Sequence, residues 1–293
     1  MRDMTAAPAL FATLPHNLVL TAVRNALEED LGLSGDITTD ATVATDARSD
    51  ALLAARKPGI VSGLALAEAA FRELDPTCVF TILIEDGSAV SAGDTIARIS
   101  GTSRAILSAE RVALNFMGRM CGIATLARRY VDAVEGTGAQ IVDTRKTTPG
   151  LRAFEKYAVR CGGGHNHRFG LFDAILIKDN HIVAAGGIEA AIKAAKATAG
   201  HMTKIEVEVD TLDQLEVVMR ENVDCVLLDN MGPAELRKAV AIVGGRCLTE
   251  ASGGVNLDTV REIAQTGVNM ISVGALTHSA PVLDLGLDFV AGG

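Results

Sequence analysis

The sequence has no tryptophan, and aromatic residues make up only 3% of its 293 residues. It is also poor in positive charge, with 27 Lys and Arg against 36 Asp and Glu and a net charge of −9. Surfaces that bind nucleic acid combine basic clusters with aromatic side chains on which bases stack. The composition therefore argues against nucleic acid as a partner.

Cysteine pairs and long apolar runs are also missing. The five cysteines are scattered and form no CxxC pair, which favours buried thiols over a disulfide framework or a zinc site. No apolar run approaches the roughly 20 residues that cross a bilayer, so we expect no membrane partner. The first 15 residues lack the basic start and apolar core of a secretory signal, and we expect a cytoplasmic protein.

The part of the chain up to about residue 115 mixes helices with short strands. Apolar residues at helical spacing predict a helix over 18–31, and an alanine-rich stretch predicts another over 64–74. Strands are predicted at 51–55 and 80–84. This part is therefore predicted to be an α+β unit.

From about residue 115 onward, apolar runs alternate with helical stretches, and each run ends in a polar cluster. Such spacing is typical of repeated strand–helix units and predicts a parallel α/β barrel. Eight such units usually take ~250 residues, so we expect fewer than eight strands here. The six runs are 140–143, 174–178, 205–208, 225–229, 247–250 and 270–274.

Charged residues at the carboxyl ends of barrel strands are where this fold places its chemistry. The segment 143–179 holds seven basic residues against four acidic ones, which inverts the charge balance of the whole chain. Arg145, Lys146 and Lys178 come where apolar strands end, and they indicate a pocket for a ligand with several anionic groups.

Glu208 and Asp229 end neighbouring predicted strands. Two carboxylates beside a basic pocket are typical of Mg²⁺ bound together with a diphosphate. A salt bridge to Lys178 or Lys146 explains the same residues, and the spacing does not decide between the two.

Glycine-rich turns follow the last two runs, at 252–254 and 274–275. Backbone N–H groups in such loops often bind phosphate in barrels. Ordinary tight turns use the same residues.

A different class of enzyme is suggested by the HxH pair of His165 and His167. Barrel metallohydrolases combine such a pair with a strand-end lysine, a later histidine and an aspartate. Here the pair follows a helix and a glycine turn rather than closing a strand, which argues against this hypothesis. Its ligand set would be His165, His167, Lys178, His181 and Asp229.

Ten ordered motifs of the chain resemble those of the quinolinate phosphoribosyltransferase family. Three of them carry the basic residues discussed above: 143–152 (DTRKTTPGLR), 162–168 (GGGHNHR) and 176–181 (LIKDNH). The others are 28–39, 110–115, 155–159, 206–208, 228–230, 250–254 and 273–279. The resemblance covers most of the chain.

The resemblance implies an open-faced α+β sandwich followed by an incomplete barrel of about seven parallel strands. We expect the sandwich to span 1–115, the barrel to span 116–275, and 276–293 to join the sandwich. The implied reaction joins quinolinate to phosphoribosyl pyrophosphate and yields nicotinate mononucleotide, pyrophosphate and CO₂ in de novo NAD biosynthesis. Mg²⁺ is the implied cofactor, and the implied assembly is a homodimer that shares active sites between subunits.

The same resemblance gives the residues roles. Arg111 would come from the partner subunit, and Arg145, His167, Arg168 and Lys178 would hold the substrate carboxylates. Lys146 would lie near the reacting ribose and form the catalytic set with Glu208 and Asp229, which would also serve Mg²⁺. The full substrate-binding set is Arg111, Thr144, Arg145, Lys146, His167, Arg168, Lys178, Glu208, Asp229, Ser252, Gly253, Gly254, Val273, Gly274 and Ala275.

The nearest alternative is the molybdenum-operon relative of this family, which shares the anion-binding framework and takes a different substrate. The apparently complete set of residues for a dicarboxylate favours quinolinate.

Overall fold

The computed structural model describes residues 13–290. Residues 1–12 lie outside that range, and most of the expectation about a secretory signal depends on them. Residues 291–293, which were predicted to join the first domain, lie outside it as well. Among the described helices, none combines the length and the apolarity that crossing a membrane requires.

Helices and strands follow one another along the chain in the order that the sequence predicts. The described helices are α1 His16–Leu31, α2 Ile37–Thr42, α3 Leu64–Leu74, α4 Ser103–Ala133, α5 Arg152–Cys161, α6 Asp179–Ala185, α7 Ile188–Thr198, α8 Leu212–Val218, α9 Pro233–Val243, α10 Val260–Ala264 and α11 Ala275–His278. The described strands are β1 Arg48–Ala55, β2 Gly59–Ile60, β3 Val79–Ile82, β4 Ala89–Val90, β5 Thr95–Thr102, β6 Gln140–Val142, β7 Ile175–Ile177, β8 Ile205–Val209, β9 Cys225–Asp229, β10 Leu248–Ser252, β11 Met270–Ser272 and β12 Leu285–Phe289.

Two compact units make up the chain. The first comprises the residues up to 128, 148–163 and those from 279 onward, and the second comprises 129–147 and 164–278. The predicted domain limits stay a prediction. The limit between 115 and 116 falls inside α4, and the segment 148–163 belongs to the first unit.

The first unit contains an antiparallel sheet in the order β12-β1-β5-β3. Strand β12 pairs with β1, from Ala51 opposite Phe289 to Ala55 opposite Leu285. Helix α1 buries Val19, Val23 and Leu27, four residues apart, which is the apolar stripe expected of an amphipathic helix. Antiparallel strands with helices are the α+β composition that the sequence predicts.

The second unit contains a parallel sheet in the order β6-β11-β10-β9-β8-β7. Its six strands are the six predicted apolar runs. Strands β6 and β7 are the two edges and are not paired with each other, so the barrel is incomplete. The interior positions are mostly apolar, as expected for parallel strands buried on both faces.

A further parallel bridge joins Val142 to His165 beside β6. His165 N–H donates to the Ile141 carbonyl at 2.8 Å, and Asp143 N–H donates to the His165 carbonyl at 3.1 Å. The resemblance implied about seven strands. The structure has six and this single bridge, because the segment that starts at His165 leaves the sheet after one pairing.

Candidate active site

A cavity of about 380 Å³ lies at the carboxyl ends of the barrel strands. Because all six strands are parallel, their carboxyl ends meet at one edge of the sheet and bring distant parts of the sequence together. The cavity is lined by Thr144, Arg145, Lys146, His167, Arg168, Leu176, Lys178, Glu208, Leu227, Asp229, Glu250, Ser252 and Ser272. Nine of these were predicted as site residues.

The backbone around Lys146 is fixed from two sides. Its N–H donates to Thr144 Oγ1 at 3.0 Å, and its carbonyl accepts a hydrogen bond from the buried Thr277 hydroxyl at 2.7 Å. These bonds hold the segment that follows β6 and therefore set where the Lys146 side chain starts.

Arg145 and Arg168 are half-buried and line the cavity. The Nε atoms of both are buried and have no hydrogen-bond partner among the described residues. Arg168 Nη1 donates to the Ala174 carbonyl at 3.1 Å. The pKa of Arg168 is lowered mainly by burial, and the nearby charge of Arg145 lowers it further. Cations that disfavour each other in this way are stabilised by an anion between them.

Lys178 and Glu208 form an ion pair across the cavity, with Nζ 2.6 Å from Oε2. Of the two interpretations left open by the sequence, the salt bridge is therefore present for Glu208. Asp229 instead accepts a hydrogen bond from Asn230 Nδ2 at 2.6 Å. Both carboxylates line the cavity, and oxygen donors of this kind, one or two with phosphate oxygens and water, are what Mg²⁺ prefers. The donor set thus fits the predicted ion.

The loops after β9 and β10 are locked together at Asn230 and Gly253. Asn230 has a φ of +55°, and its N–H donates to the Ser252 carbonyl at 2.9 Å. Gly253 has a φ of +92°, and a Cβ there would collide with the Asn230 side chain and lie 2.9 Å from its backbone nitrogen. Only glycine fits this position without a shift of Asn230.

The remaining predicted residues of the barrel lie outside the cavity lining. Gly253 and Gly254 follow β10, and Val273, Gly274 and Ala275 follow β11. They therefore lie at the same edge of the sheet as the cavity, on the loops after the two strands and at the first residue of α11.

His167 lies at the centre of a buried polar cluster that the sequence analysis missed. Its Nε2 is 2.9 Å from Glu206 Oε2 and 3.7 Å from Glu250 Oε2. The Oε1 atoms of both glutamates are buried without a hydrogen-bond partner among the described residues. The pKa of Glu250 is raised to about 8, mainly by burial and secondly by the nearby charge of Glu206.

The hydrolase hypothesis expected a different ligand set. Within residues 13–290, the group of His, Cys, Asp and Glu side chains that could hold a metal ion is His167, Glu206 and Glu250, whose ligand atoms lie within 4.8 Å of one another. It shares only His167 with that expected set. His165 instead pairs with Val142, and His181 Nδ1 accepts the Lys178 N–H at 3.0 Å.

Arg111 belongs to the first unit, on α4. It lines a cavity of about 310 Å³ within that unit, together with Asp30, Asp36 and Ser108. Asp36 Oδ2 accepts the Ser108 hydroxyl at 3.0 Å.

Comparison with known families identifies both parts of the chain. Residues 36–121 match the model of the quinolinate phosphoribosyl transferase N-terminal domain, and 123–288 match that of the C-terminal domain. The chain belongs to the quinolinate phosphoribosyltransferase family. Members of this family are decarboxylating pentosyltransferases of NAD biosynthesis, and this chain is an enzyme of that class.

Relatives in the quinolinate phosphoribosyltransferase family are similar over most of their length. The chain is 44% identical over 260 residues to the probable nicotinate-nucleotide pyrophosphorylase [carboxylating] of Bacillus subtilis (strain 168), covering 89% of each protein. It is 44% identical over 271 residues to nicotinate-nucleotide pyrophosphorylase [carboxylating] of Mycobacterium leprae (strain TN), covering 91% of this chain and 95% of that one. The crystal structure of NadC from Streptococcus pyogenes superposes with a TM-score of 0.91 at 38% identity, covering 95% and 99% of the two chains. The predicted family and fold class are confirmed.

Four residues of the cavity lining were not assigned from the sequence: Leu176, Leu227, Glu250 and Ser272. Glu206, which contacts His167 beneath this cavity, was also not assigned. A signal for Glu206 was available. Glutamates alternate with apolar residues along β8, so Glu206 and Glu208 share the face of the strand that points into the barrel.

Proposed function

We propose that this chain transfers the phosphoribosyl group of phosphoribosyl pyrophosphate to quinolinate, with decarboxylation, to give nicotinate mononucleotide, pyrophosphate and CO₂. One observation carries the proposal beyond family membership. Two partly buried arginines, whose Nε atoms are buried and unpartnered among the described residues, and two carboxylates line a single cavity of about 380 Å³. That combination suits a small dianion and a magnesium diphosphate side by side.

The carboxylates of quinolinate would be held by Arg145, His167, Arg168 and Lys178, with Arg111 of the partner subunit completing the set. Guanidinium groups bind carboxylates through two parallel hydrogen bonds, which fixes the ring plane as well as its charge. The half-buried Arg145 and Arg168, whose charges repel each other, gain most from a dianion. Selectivity for a dicarboxylate follows from this cost of leaving them unpaired.

Glu208 and Asp229 would hold Mg²⁺, partly through the diphosphate of the substrate, and would also accept hydrogen bonds from the ribose hydroxyls. The bound ion would supply charge neutralisation for the departing pyrophosphate. The loops 252–254 and 273–275 would bind the 5′-phosphate through backbone N–H groups, with Thr144 beside them at the cavity wall.

Loss of pyrophosphate leaves positive charge on the ribosyl carbon, while the pyridine nitrogen of quinolinate attacks it. Lys146 would stabilise the charge that develops on the leaving group, from a backbone held by Thr144 and Thr277. Once ribosylated, the ring is cationic, and its charged nitrogen stabilises the electron pair left at carbon 2 when CO₂ leaves. That carbon then takes up a proton from water to give the product. The chain needs no covalent nucleophile for either step.

A homodimer with shared active sites is part of the proposal. Exposed apolar side chains in the second unit support it, since Leu171, Phe172 and Val183 are 73%, 84% and 81% exposed. Contiguous exposed apolar residues mark interaction surfaces. We also propose a cytoplasmic location, which fractionation of expressing cells checks.

The decisive experiment compares quinolinate with nicotinate as acceptors, in the presence of phosphoribosyl pyrophosphate and Mg²⁺. Nicotinate lacks the second carboxylate, and we expect its kcat/KM to be lower by about 10²-fold or more, because buried cations then lose their partner. Formation of nicotinate mononucleotide and CO₂ is followed by chromatography. Comparable turnover of the two acids contradicts the proposal and favours the relative with a different substrate.

Removal of divalent metal tests the role of Glu208 and Asp229. Chelation should abolish turnover and leave the Tm unchanged, because Mg²⁺ would arrive with the diphosphate rather than brace the fold. Activity should return on addition of Mg²⁺. A fall in Tm on chelation would instead point to a structural metal ion.

A further inference from the structure

The interior of the barrel directly beneath the cavity is polar where barrels are normally apolar. Layers of branched apolar side chains usually fill this space. Here Glu206 on β8, Glu250 on β10 and His167 meet in it, and the Glu250 side chain is only 1% exposed. Buried charges without full hydrogen bonding cost stability, and well-packed apolar residues of similar volume are often better tolerated.

The hydrogen bonding of the two glutamates is incomplete. Each has one buried carboxylate oxygen, Oε1, without a partner among the described residues, so the cluster is not one that maximises stability. Their other oxygens converge on a single atom, Nε2 of His167. The arrangement therefore fixes the imidazole at a cost to the fold.

His167 is also held through its backbone. Its N–H donates to Asp143 Oδ1 at 2.9 Å, while the neighbouring Asn166 side chain donates to Oδ2 at 2.6 Å. Asp143 is fully buried at the end of β6. The main chain and the ring are thus anchored to different strands, β6 on one side and β8 with β10 on the other.

The cluster separates two cavities. His167 lines the upper cavity of about 380 Å³ and also a lower one of about 210 Å³, which reaches Lys204 and Asp224 at the amino-terminal ends of the strands. An imidazole with open space above and below could rotate away from the upper cavity. The carboxylates of Glu206 and Glu250 oppose that rotation.

We propose that Glu206 and Glu250 are positioning residues, which hold the His167 ring at the floor of the upper cavity so that it meets a carboxylate of the acceptor substrate. The inference rests on the proposed function, in which His167 binds quinolinate. It assigns a role in acceptor binding to two residues that do not bind the acceptor themselves. The phosphoribosyl donor would be bound elsewhere in the cavity and would be insensitive to them.

The test uses Glu206→Leu, which keeps the volume and removes the acceptor of the hydrogen bond, and Glu206→Gln, which keeps an acceptor oxygen. We expect Glu206→Leu to raise the KM for quinolinate about 10-fold to 100-fold, with kcat and the KM for phosphoribosyl pyrophosphate within about 3-fold of wild type. Glu206→Gln should restore most of the quinolinate KM. The Tm of the Leu variant should stay near that of wild type, because the change removes the hydrogen bond to His167 and also the like charge beside Glu250.

Glu250→Leu should shift the same KM in the same direction. Glu221→Leu is the matched control. Glu221 does not line the cavity, and its Oε2 lies 2.8 Å from Lys196 Nζ in an ion pair. If wild type is active and the Glu206 and Glu250 variants keep the wild-type KM for quinolinate, the inference is wrong and the proposed function still holds. The inference is also wrong if the KM values for quinolinate and for phosphoribosyl pyrophosphate rise together while the Tm falls, because that result indicates a structural role. A wild type that forms no nicotinate mononucleotide overturns the proposed function instead.

Discussion

Among single residues, Glu250 couples the stability of the barrel to pH. Its pKa is raised to about 8 from an ordinary value of 4.5, mainly by burial. A carboxyl group of this kind stabilises the fold fully below the unfolded pKa, about pH 4.5, and loses that contribution as the pH rises through its folded pKa. The free energy of unfolding should therefore fall as the pH rises from about 4.5 to about 8.

Replacing Glu250 by glutamine removes the titrating group and keeps its shape. We expect Glu250→Gln to be more stable than wild type at about pH 8.5, by about 1–3 kcal/mol, and to lose most of this advantage at about pH 5.5. Thermal unfolding at the two pH values measures the difference. Glu221→Gln, at a partly buried ion pair, should leave the change in stability between these two pH values as in wild type, because the hydrogen bond to Lys196 lowers the pKa of Glu221 and keeps it ionised at both. Parallel pH profiles of wild type and Glu250→Gln would contradict the prediction.

Local sequence patterns could predict the elements of the barrel but not every contact within it. The run 225–229 is buried on both faces and coincides with β9, because such a strand is continuously apolar. The cluster of His167 with Glu206 and Glu250 could not be predicted, since it exists only once the sheet curls and brings β8 and β10 opposite the segment after His165.

The extent of helix α4 was not predicted from the sequence. Glycines within it, such as Gly122, normally weaken a helix and obscure its pattern. The structure gives a reason for this one. A Cβ at Gly122 would lie 3.0 Å from the carbonyl carbon of Pro281, so the helix needs glycine where the chain after residue 280 crosses it. That close approach joins residues 159 positions apart and leaves no signal nearby in the sequence.

The contact between the loops after β9 and β10 predicts a specific effect of a methyl group. In Gly253→Ala the new Cβ meets Asn230, so both loops must move, and the left-handed φ adds strain of about 1–3 kcal/mol. Because Asp229 precedes Asn230, we expect a rise of about 10-fold or more in the KM for phosphoribosyl pyrophosphate and a smaller change for quinolinate. Steady-state kinetics measures both.

The control for this variant is Gly245→Ala. Gly245 has a φ of +76° and no atom within 4 Å of the added Cβ, so it carries the backbone strain without the collision. It should lose stability and keep both KM values. Equal kinetic effects of the two variants would mean that strain alone, rather than the contact with Asn230, disturbs the site.

At the scale of the whole molecule, the proposed role of Arg111 in the active site of the partner subunit requires a homodimer. Arg111 belongs to the first unit, and the cavity with Lys178 is built by the second. If Arg111 acts only within its own chain, the carboxylates available to it are those of Asp30 and Asp36 in the same cavity, and an exposed ion pair of that kind contributes only ~0–1 kcal/mol. In a two-fold dimer with shared sites, each site instead combines Arg111 of one subunit with Lys178 of the other.

Complementation between inactive subunits distinguishes these arrangements. Arg111→Ala and Lys178→Ala should each be inactive alone. After mixing and complete subunit exchange, half of the dimers carry one subunit of each kind, and each of these contains one intact site and one doubly altered site. About a quarter of all sites should therefore recover activity, and only after exchange.

Exchange must be measured independently, for example by mass spectrometry of differently labelled subunits. A second mixture, of Arg145→Ala with Lys178→Ala, is the matched control: both residues line the cavity of the same unit, so mixed dimers carry one defect in each site and should stay inactive. Confirmed exchange without recovery in the Arg111 mixture would mean that Arg111 acts within its own chain. Recovery there alone requires that the two residues come from different subunits, because no other pairing restores a complete site in a mixed dimer.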